Sequence, residues 1–323
     1  LSLLDTPGSM LALSTDYMSI IFIGLPFLAV YNVYSAALRA VGDSRAPFLS
    51  VAVSAAVNVA LDILLVAVIP WGVRGAAIAT VASQAAMTVF IAAYAVKKHP
   101  ILRWRMERGI FRAGSIGESL RFGLPPMIQS SIGAFGSVIL QSYMNGFGDT
   151  TVTAITSAYR VDTVILLPII NLGSAISTLT AQSHGAGDDR RGTRILGVGC
   201  VLMTVVSLLL TAIIIPTGGW LISLFGAGEE VSGIGAGFFR CIAPFYVVYG
   251  LAMSIRGHIE GLGDMLVSSG VGLAALALRI ALSYAMTGVY GSMNIAYAEA
   301  YCWVLMAALY ILRLARLKRR RQA

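Results

Sequence analysis

Charge is what this chain has least of. Asp, Glu, Lys and Arg make up 12% of its 323 residues, roughly half the share of an ordinary soluble domain. Hydrophobic residues take 57%, more apolar surface than a water-soluble globule of this size could hide, so lipid must be the solvent. Cysteine is equally sparse. Cys200, Cys241 and Cys302 sit inside apolar stretches without C-x-x-C spacing. They read as small apolar fillers, which excludes a disulfide framework and a thiolate metal site. The three histidines, His99, His184 and His258, are expected in loops and have no metal-ligand spacing. No nucleophile is paired with a base, so neither an enzyme nor a bound cofactor is indicated.

What is present is apolar length. Nine stretches reach the roughly 20 residues that a membrane helix needs: 16–40, 47–69, 73–97, 115–143, 152–180, 193–215, 232–256, 266–288 and 292–316. Gly, Pro and charge fill the breaks between them. The fold class is therefore an all-α polytopic membrane protein. Threading the nine spans alternately puts 19 of the 23 basic residues into the segments 39–45, 97–121, 183–194, 256–264 and 313–323. Arg74 alone falls in the opposite loops, and Arg160, Arg240 and Arg279 fall within spans. The net charge of +8 is thus an expression of topology, with the basic loops and the C-terminus cytoplasmic. The tail Lys318-Arg319-Arg320-Arg321 is expected to meet anionic lipid headgroups. No pattern of interleaved aromatics points to a nucleic-acid site, so nucleic acid is not expected as a partner.

The chain also repeats itself. Gly42-Asp43 recurs as Gly263-Asp264 and Ala60-Leu61 as Ala281-Leu282, both 221 residues on. Pro26-Phe27 with Val30-Tyr31 recurs as Pro244-Phe245 with Val248-Tyr249, and Gly72-Val73-Arg74-Gly75 as Gly288-Val289-Tyr290-Gly291. Four matches in one order indicate a duplicated unit. The second copy has three helices ahead of its Pro244 helix, whereas the first has none ahead of Pro26. Residues 1–15 lack an initiator Met and a basic n-region, and they match the end of a helix and an outer loop at 221–235. The expectation is two homologous lobes: the last three helices of a six-helix lobe (1–96), a basic linker (97–114) with Leu102, Trp104, Ile110 and Phe111 on an apolar side, a complete six-helix lobe (115–312) and a basic tail (313–323). Pro26 and Pro244 are expected to loosen their helices. Gly42, Asp43, Gly263 and Asp264 are expected to shape tight turns.

Polar residues inside the spans are the candidates for function. Ser54, Asn58 and Asp62 recur every four residues and share one helix face. Asp62 stands out, because a carboxylate at mid-helix costs roughly 2.5–3.5 kcal/mol on insertion scales unless it has a partner or a cavity. It can take a proton or Na⁺; Asn58 adds a carbonyl oxygen one turn earlier, and Thr80 on the next helix adds a hydroxyl, all hard donors. The competing reading is that Asn58 and Asp62 merely tie helices together. In the second copy Arg279 replaces Asn58 and Ser283 replaces Asp62, so no second such site is expected. Asp162 reads either as a proton site or as a salt-bridge partner of Arg279 or Arg160. Glu299 reads as solvated near the outer surface. Tyr31, Met127, Gln129, Gln141 and Tyr249, with Asp162 and Arg279, are candidates for a substrate cavity in which aromatic faces attract organic cations; packing is the alternative.

The motifs Leu38-Arg39-Ala40-x-Gly42-Asp43-x-x-x-Pro47, Asn58-x-x-Leu61-Asp62, Gly72-x-x-Gly75-Ala76-Ala77-x-Ala79-Thr80 and Gln182-x-x-Gly185-Ala186, taken together, resemble the multidrug and toxic compound extrusion (MATE) transporters. The resemblance covers essentially the whole chain. It implies two six-helix lobes around a V-shaped cavity in the bacterial cytoplasmic membrane. It also implies export of small organic, often cationic, compounds in exchange for H⁺ or Na⁺, by a monomer in contact with membrane lipids. It places Asn58, Asp62 and Thr80 in the first-lobe cation site, with a further carboxylate on a helix that this sequence lacks. The alternative function is a lipid-linked oligosaccharide flippase of similar topology, which would be expected to have a more cationic cavity.

Overall fold

A computed structural model describes residues 8–103, 113–224 and 228–322. The chain divides into two compact units, Leu1–Arg108 and Gly109–Ala323. Trp104, Ile110 and Phe111 of the expected linker lie outside the described residues, and so do the side chains of Lys318, Arg320 and Arg321 in the basic tail.

The first unit holds α1 (Gly8–Ala40), α2 (Arg45–Asp62) and α3 (Gly72–Lys98). Residues 1–15 were expected to hold the end of a helix and an outer loop ahead of a span from 16; the helix instead runs unbroken from Gly8. After Pro7-Gly8 no breaker interrupts the run, and the Thr15 hydroxyl donates to the Leu11 carbonyl at 2.7 Å. Pro26 lies inside an unbroken α1. α3 packs against both α1 and α2. The unit's own core is small, built on Leu38, Ala46, Ile91 and Ala95. Only 6% of the apolar window of 45–68 is buried, against 56% for 229–261; most of this apolar surface therefore faces outward, as in a helix solvated by lipid.

The second unit comprises α4 (Ala113–Met144), α5 (Asp149–Gly185), α6 (Asp189–Ser223), α7 (Glu229–Ile242), α8 (Tyr246–Gly261), α9 (Met265–Ala285), α10 (Thr287–Tyr290) and α11 (Asn294–Gln322). Pro244 loosens its helix as expected, since a 3₁₀ turn at Ala243–Phe245 separates α7 from α8. Phe238, Phe239, Tyr246 and Tyr310 anchor one continuous core. α5 and α8 meet along a small-residue seam. A side chain on Gly257 would run into the Gly173 carbonyl, and a Cβ on Gly261 would stand 2.5 Å from the Ser177 carbonyl oxygen. Glycine at this four-residue spacing lets two membrane helices approach backbone to backbone.

Among the described residues eight helices, not the nine expected, are long and apolar enough to cross a membrane. α4 is 32 residues long, but Pro125, Pro126, Gln129, Gln141 and several serines dilute its apolar character. The fold is all-α and two-lobed, and the repeat is visible in its backbone. Gly42 and Gly263 turn at φ +87° and +88°, values that glycine adopts without steric cost. Each is followed by the same closure, from Asp43 N–H to the Leu38 carbonyl and from Asp264 N–H to the Ile259 carbonyl.

The two turns differ in how their aspartates are held. Asp43 accepts from the backbone N–H groups of Arg45 and Ala46, from the Tyr94 hydroxyl and from His99. These donors, His99 first, hold its carboxyl down at about 2. Asp264 is instead gripped by Arg313 of α11 at 2.6 Å. In both copies the end of the last helix fastens the turn.

Candidate functional site

α2 and α3 run antiparallel, and two contacts fix their register. The Ser54 hydroxyl donates to the Ser83 carbonyl at 3.2 Å. Eleven residues on, the Leu65 carbonyl lies so close to Gly75 that a Cβ there would stand 2.7 Å from it. Asn58 and Asp62 lie between these contacts on the face that Ser54 turns toward α3, opposite the stretch of α3 that holds Thr80. Both are half-buried. The backbone changes character at Asp62, where the α-helix gives way to a π-helical stretch, Ile63–Val68. Such widened turns are rare and concentrate at functional positions.

Asp62 Oδ1 is buried and has no hydrogen-bond partner among the described residues. A buried carboxylate oxygen without a donor is costly, and native structures keep few such groups. Thr80 donates its proton to the Ala76 carbonyl at 2.9 Å, which leaves its oxygen lone pairs available. A carboxylate, an amide and a hydroxyl along two adjoining helices are the groups that accept a proton or offer oxygen to a hard cation.

The polar residues of the second unit are arranged differently. Asp162 is 3% exposed and accepts a hydrogen bond from the Tyr246 hydroxyl across the α5–α8 seam. It does not pair with Arg279, as the sequence allowed. Arg279 lies 3.1 Å from Glu299, donates to the Tyr159 hydroxyl at 2.8 Å and stands 5.4 Å over the Tyr159 ring. Arg160 is exposed on α5, because it is two residues from Asp162 and points elsewhere. Glu299, expected to be solvated near the surface, has a side chain only 13% exposed; α11 turns it inward toward α9. Tyr159 and Tyr246 are the participants that sequence reading missed, because neither tyrosine carries a local pattern. Glu299 stood out as a lone acid in an apolar run, and it is its placement that the structure corrects.

A cavity of about 390 Å³ brings together Gln141, Asp162 and Arg279 with Tyr159, Thr163 and Glu299. The other candidate cavity residues are not gathered there. Tyr31 packs on the small core of the first unit, and Tyr249 packs against the Trp303 ring, 4.7 Å between centroids. The Gln129 amide fills the space beside Gly272, and Met127 is 58% exposed. His258, expected in a loop, is buried in α8 within 3.3 Å of the Thr180 hydroxyl. Among the described residues no cluster of His, Cys, Asp and Glu is arranged to hold a metal ion.

Residues 1–64 and 125–285 match the MatE family. The chain is 30% identical over 266 residues to Probable multidrug resistance protein YpnP of Bacillus subtilis (strain 168), covering 82% of this chain and 59% of that protein. It is 21% identical over 316 residues to Multidrug export protein MepA of Staphylococcus saprophyticus, covering 96% and 70%. A crystal structure of MATE in the bent conformation superimposes with a TM-score of 0.90 at 20% identity, over 100% of this chain and 73% of that one. The chain thus spans about three fifths of the length of its Bacillus relative. At the identity of the structural match, what is shared is the fold.

Proposed function

The chain belongs to the MatE family, and on that premise we propose that it acts in a secondary active efflux antiporter, exporting small organic, often cationic, compounds in exchange for H⁺ or Na⁺. Asp62, Asn58 and Thr80 are assigned to the coupling cation. The observation that carries this reading is the buried, partnerless Asp62 Oδ1 at the junction of an α- and a π-helical stretch. A proton or Na⁺ supplies the missing partner. Transport follows by alternating access, with the ion shifting the equilibrium between inward- and outward-open states only insofar as it binds them unequally. The setting is a bacterial cytoplasmic membrane with the C-terminus inside, on the strength of the basic-loop asymmetry.

The oligosaccharide-flippase reading calls for a cavity rich in unpaired cations. Of the three cations within the spans, Arg160 and Arg240 are exposed and Arg279 already has Glu299, so the spans supply no such cavity.

The test uses the full-length protein expressed in a drug-sensitive host. Efflux of a fluorescent organic cation is followed in everted vesicles under a pH jump and, separately, a Na⁺ jump, for wild type and Asp62→Asn. Ion-driven movement that disappears in the variant at equal protein level supports the assignment and names the ion. Movement that survives removes Asp62 from the coupling role.

A further inference from the structure

On the second unit, α5 and α6 leave a groove of about 810 Å³ between them, within the size range of sites that hold small organic ligands. Leu172 and Leu179 from α5 and Val198 and Leu202 from α6 form its walls at helical spacing. Gly199 sets its floor. A Cβ there would stand 2.5 Å from Ile176 Cδ1, so the helices close beneath the groove without filling it. Leu179, Val198 and Leu202 remain 42%, 55% and 50% exposed; the trough is therefore open along its length.

One end of the trough has a different chemistry. Arg190, Arg191 and Arg194 line it, all three are exposed, and none forms an ion pair among the described residues. The neighbouring acids have partners of their own, although Asp188 also lines this end of the groove. Asp188 accepts the Arg191 backbone N–H at 2.9 Å and caps α6, and Asp189 lies 3.6 Å from His184. Three guanidinium groups thus converge at the mouth of an apolar trough that runs along two helices long and apolar enough to cross a membrane. An occupant must carry a negative head and an apolar body. Planar guanidinium groups bind phosphate oxygens in pairs, and basic pockets between membrane helices suit anionic headgroups.

We propose that this groove is a binding site for an anionic phospholipid, with its headgroup phosphate on Arg190, Arg191 and Arg194 and its acyl chain along Leu172, Leu179, Val198 and Leu202. The site is independent of the assignment of Asp62. A zwitterionic lipid fits the trough equally well but gains little from the arginines, so selectivity resides in headgroup charge.

The experiment reconstitutes the full-length protein in nanodiscs of mixed phosphatidylglycerol and phosphatidylethanolamine, then counts co-purifying lipids by native mass spectrometry. Wild type is expected to retain phosphatidylglycerol selectively. The triple variant Arg190→Gln/Arg191→Gln/Arg194→Gln should weaken that retention by about fivefold per arginine, on the order of 100-fold in all. Val198→Trp, which fills the trough and leaves the charge untouched, should displace the same lipid and serves if the triple variant does not fold. Equal retention of the two lipids by wild type, or unchanged phosphatidylglycerol in both variants, overturns the proposal. So does a photo-crosslinker at position 198 that captures another segment of the protein instead of lipid.

Discussion

His99 Nε2 stands 2.9 Å from Asp43 Oδ2, and this bond fastens the turn between α1 and α2 to the end of α3. Because Asp43 is held at about 2, below its ordinary 3.8, the contact stabilises the unit above the ordinary value and is lost as pH falls through about 2. His99→Ala is expected to cost about 1 kcal/mol at neutral pH, the worth of one hydrogen bond. Thermal unfolding in detergent between about pH 4 and pH 2 should show this cost shrinking toward the acid end, as Asp43 takes up its proton. A cost that stays constant or grows across that window would contradict the assignment.

Asp62→Asn should separate stability from coupling. An amide in place of a carboxylate whose buried Oδ1 has no donor relieves a desolvation cost, so the variant is expected to unfold at the same temperature as wild type or higher. Wild type should gain about 1.4 kcal/mol when the coupling ion reaches ten times its dissociation constant, and the variant should gain nothing. The readout is melting temperature against Na⁺ concentration at high pH and against pH without Na⁺. An equal response in both proteins would place the ion elsewhere.

The Arg279–Glu299 pair makes the opposite prediction. Glu299→Gln leaves a guanidinium without its counter-charge and is expected to cost about 3–5 kcal/mol, whereas Arg279→Met/Glu299→Leu together should recover most of it. A double-mutant cycle on unfolding checks this. Additive single costs would mean that the two side chains do not act as a pair.

The α5–α8 seam predicts a contrast between glycines. Gly257→Leu forces a side chain into the Gly173 carbonyl, while Gly197 on α6 has nothing within 4 Å of a built Cβ. Gly257→Leu should abolish recovery of monodisperse protein by size-exclusion chromatography, and Gly197→Leu should leave it unchanged.

The membrane class, the repeat and the Gly-Asp turns were legible because each is written locally, in apolar length, in spacing and in a residue that tolerates positive φ. The stripe through Asn58 and Asp62 was legible for the same reason: a four-residue interval becomes one helix face wherever the helix lies. The partners of Asp162 and Arg279 were not. Tyr246 is 84 residues from Asp162 and Tyr159 is 120 from Arg279, and only the packing of α5 on α8 and of α9 on α11 decides which side chains meet. Tyr249 shows the same limit from the other side. An aromatic at helical spacing is compatible with a cavity wall or with packing, and only the tertiary fold brings the Trp303 ring beside it. The start of α1 was misjudged because the matching stretch of the second copy was taken as a guide, although residues 8–15 contain no breaker of their own.

The repeat also aligns Asn58 with Arg279 and Asp62 with Ser283. At this shared location the first copy keeps a carboxylate oxygen without a donor, and the second keeps a guanidinium beside its own acid. One copy leaves an acceptor open, and the other fills the position with a cation tethered to the chain. A duplicated scaffold of this kind does not imply a doubled ion count. The coupling proposed for Asp62 therefore has room for one exchangeable cation at this pair of positions, because its twin is already neutralised by Arg279 and Glu299.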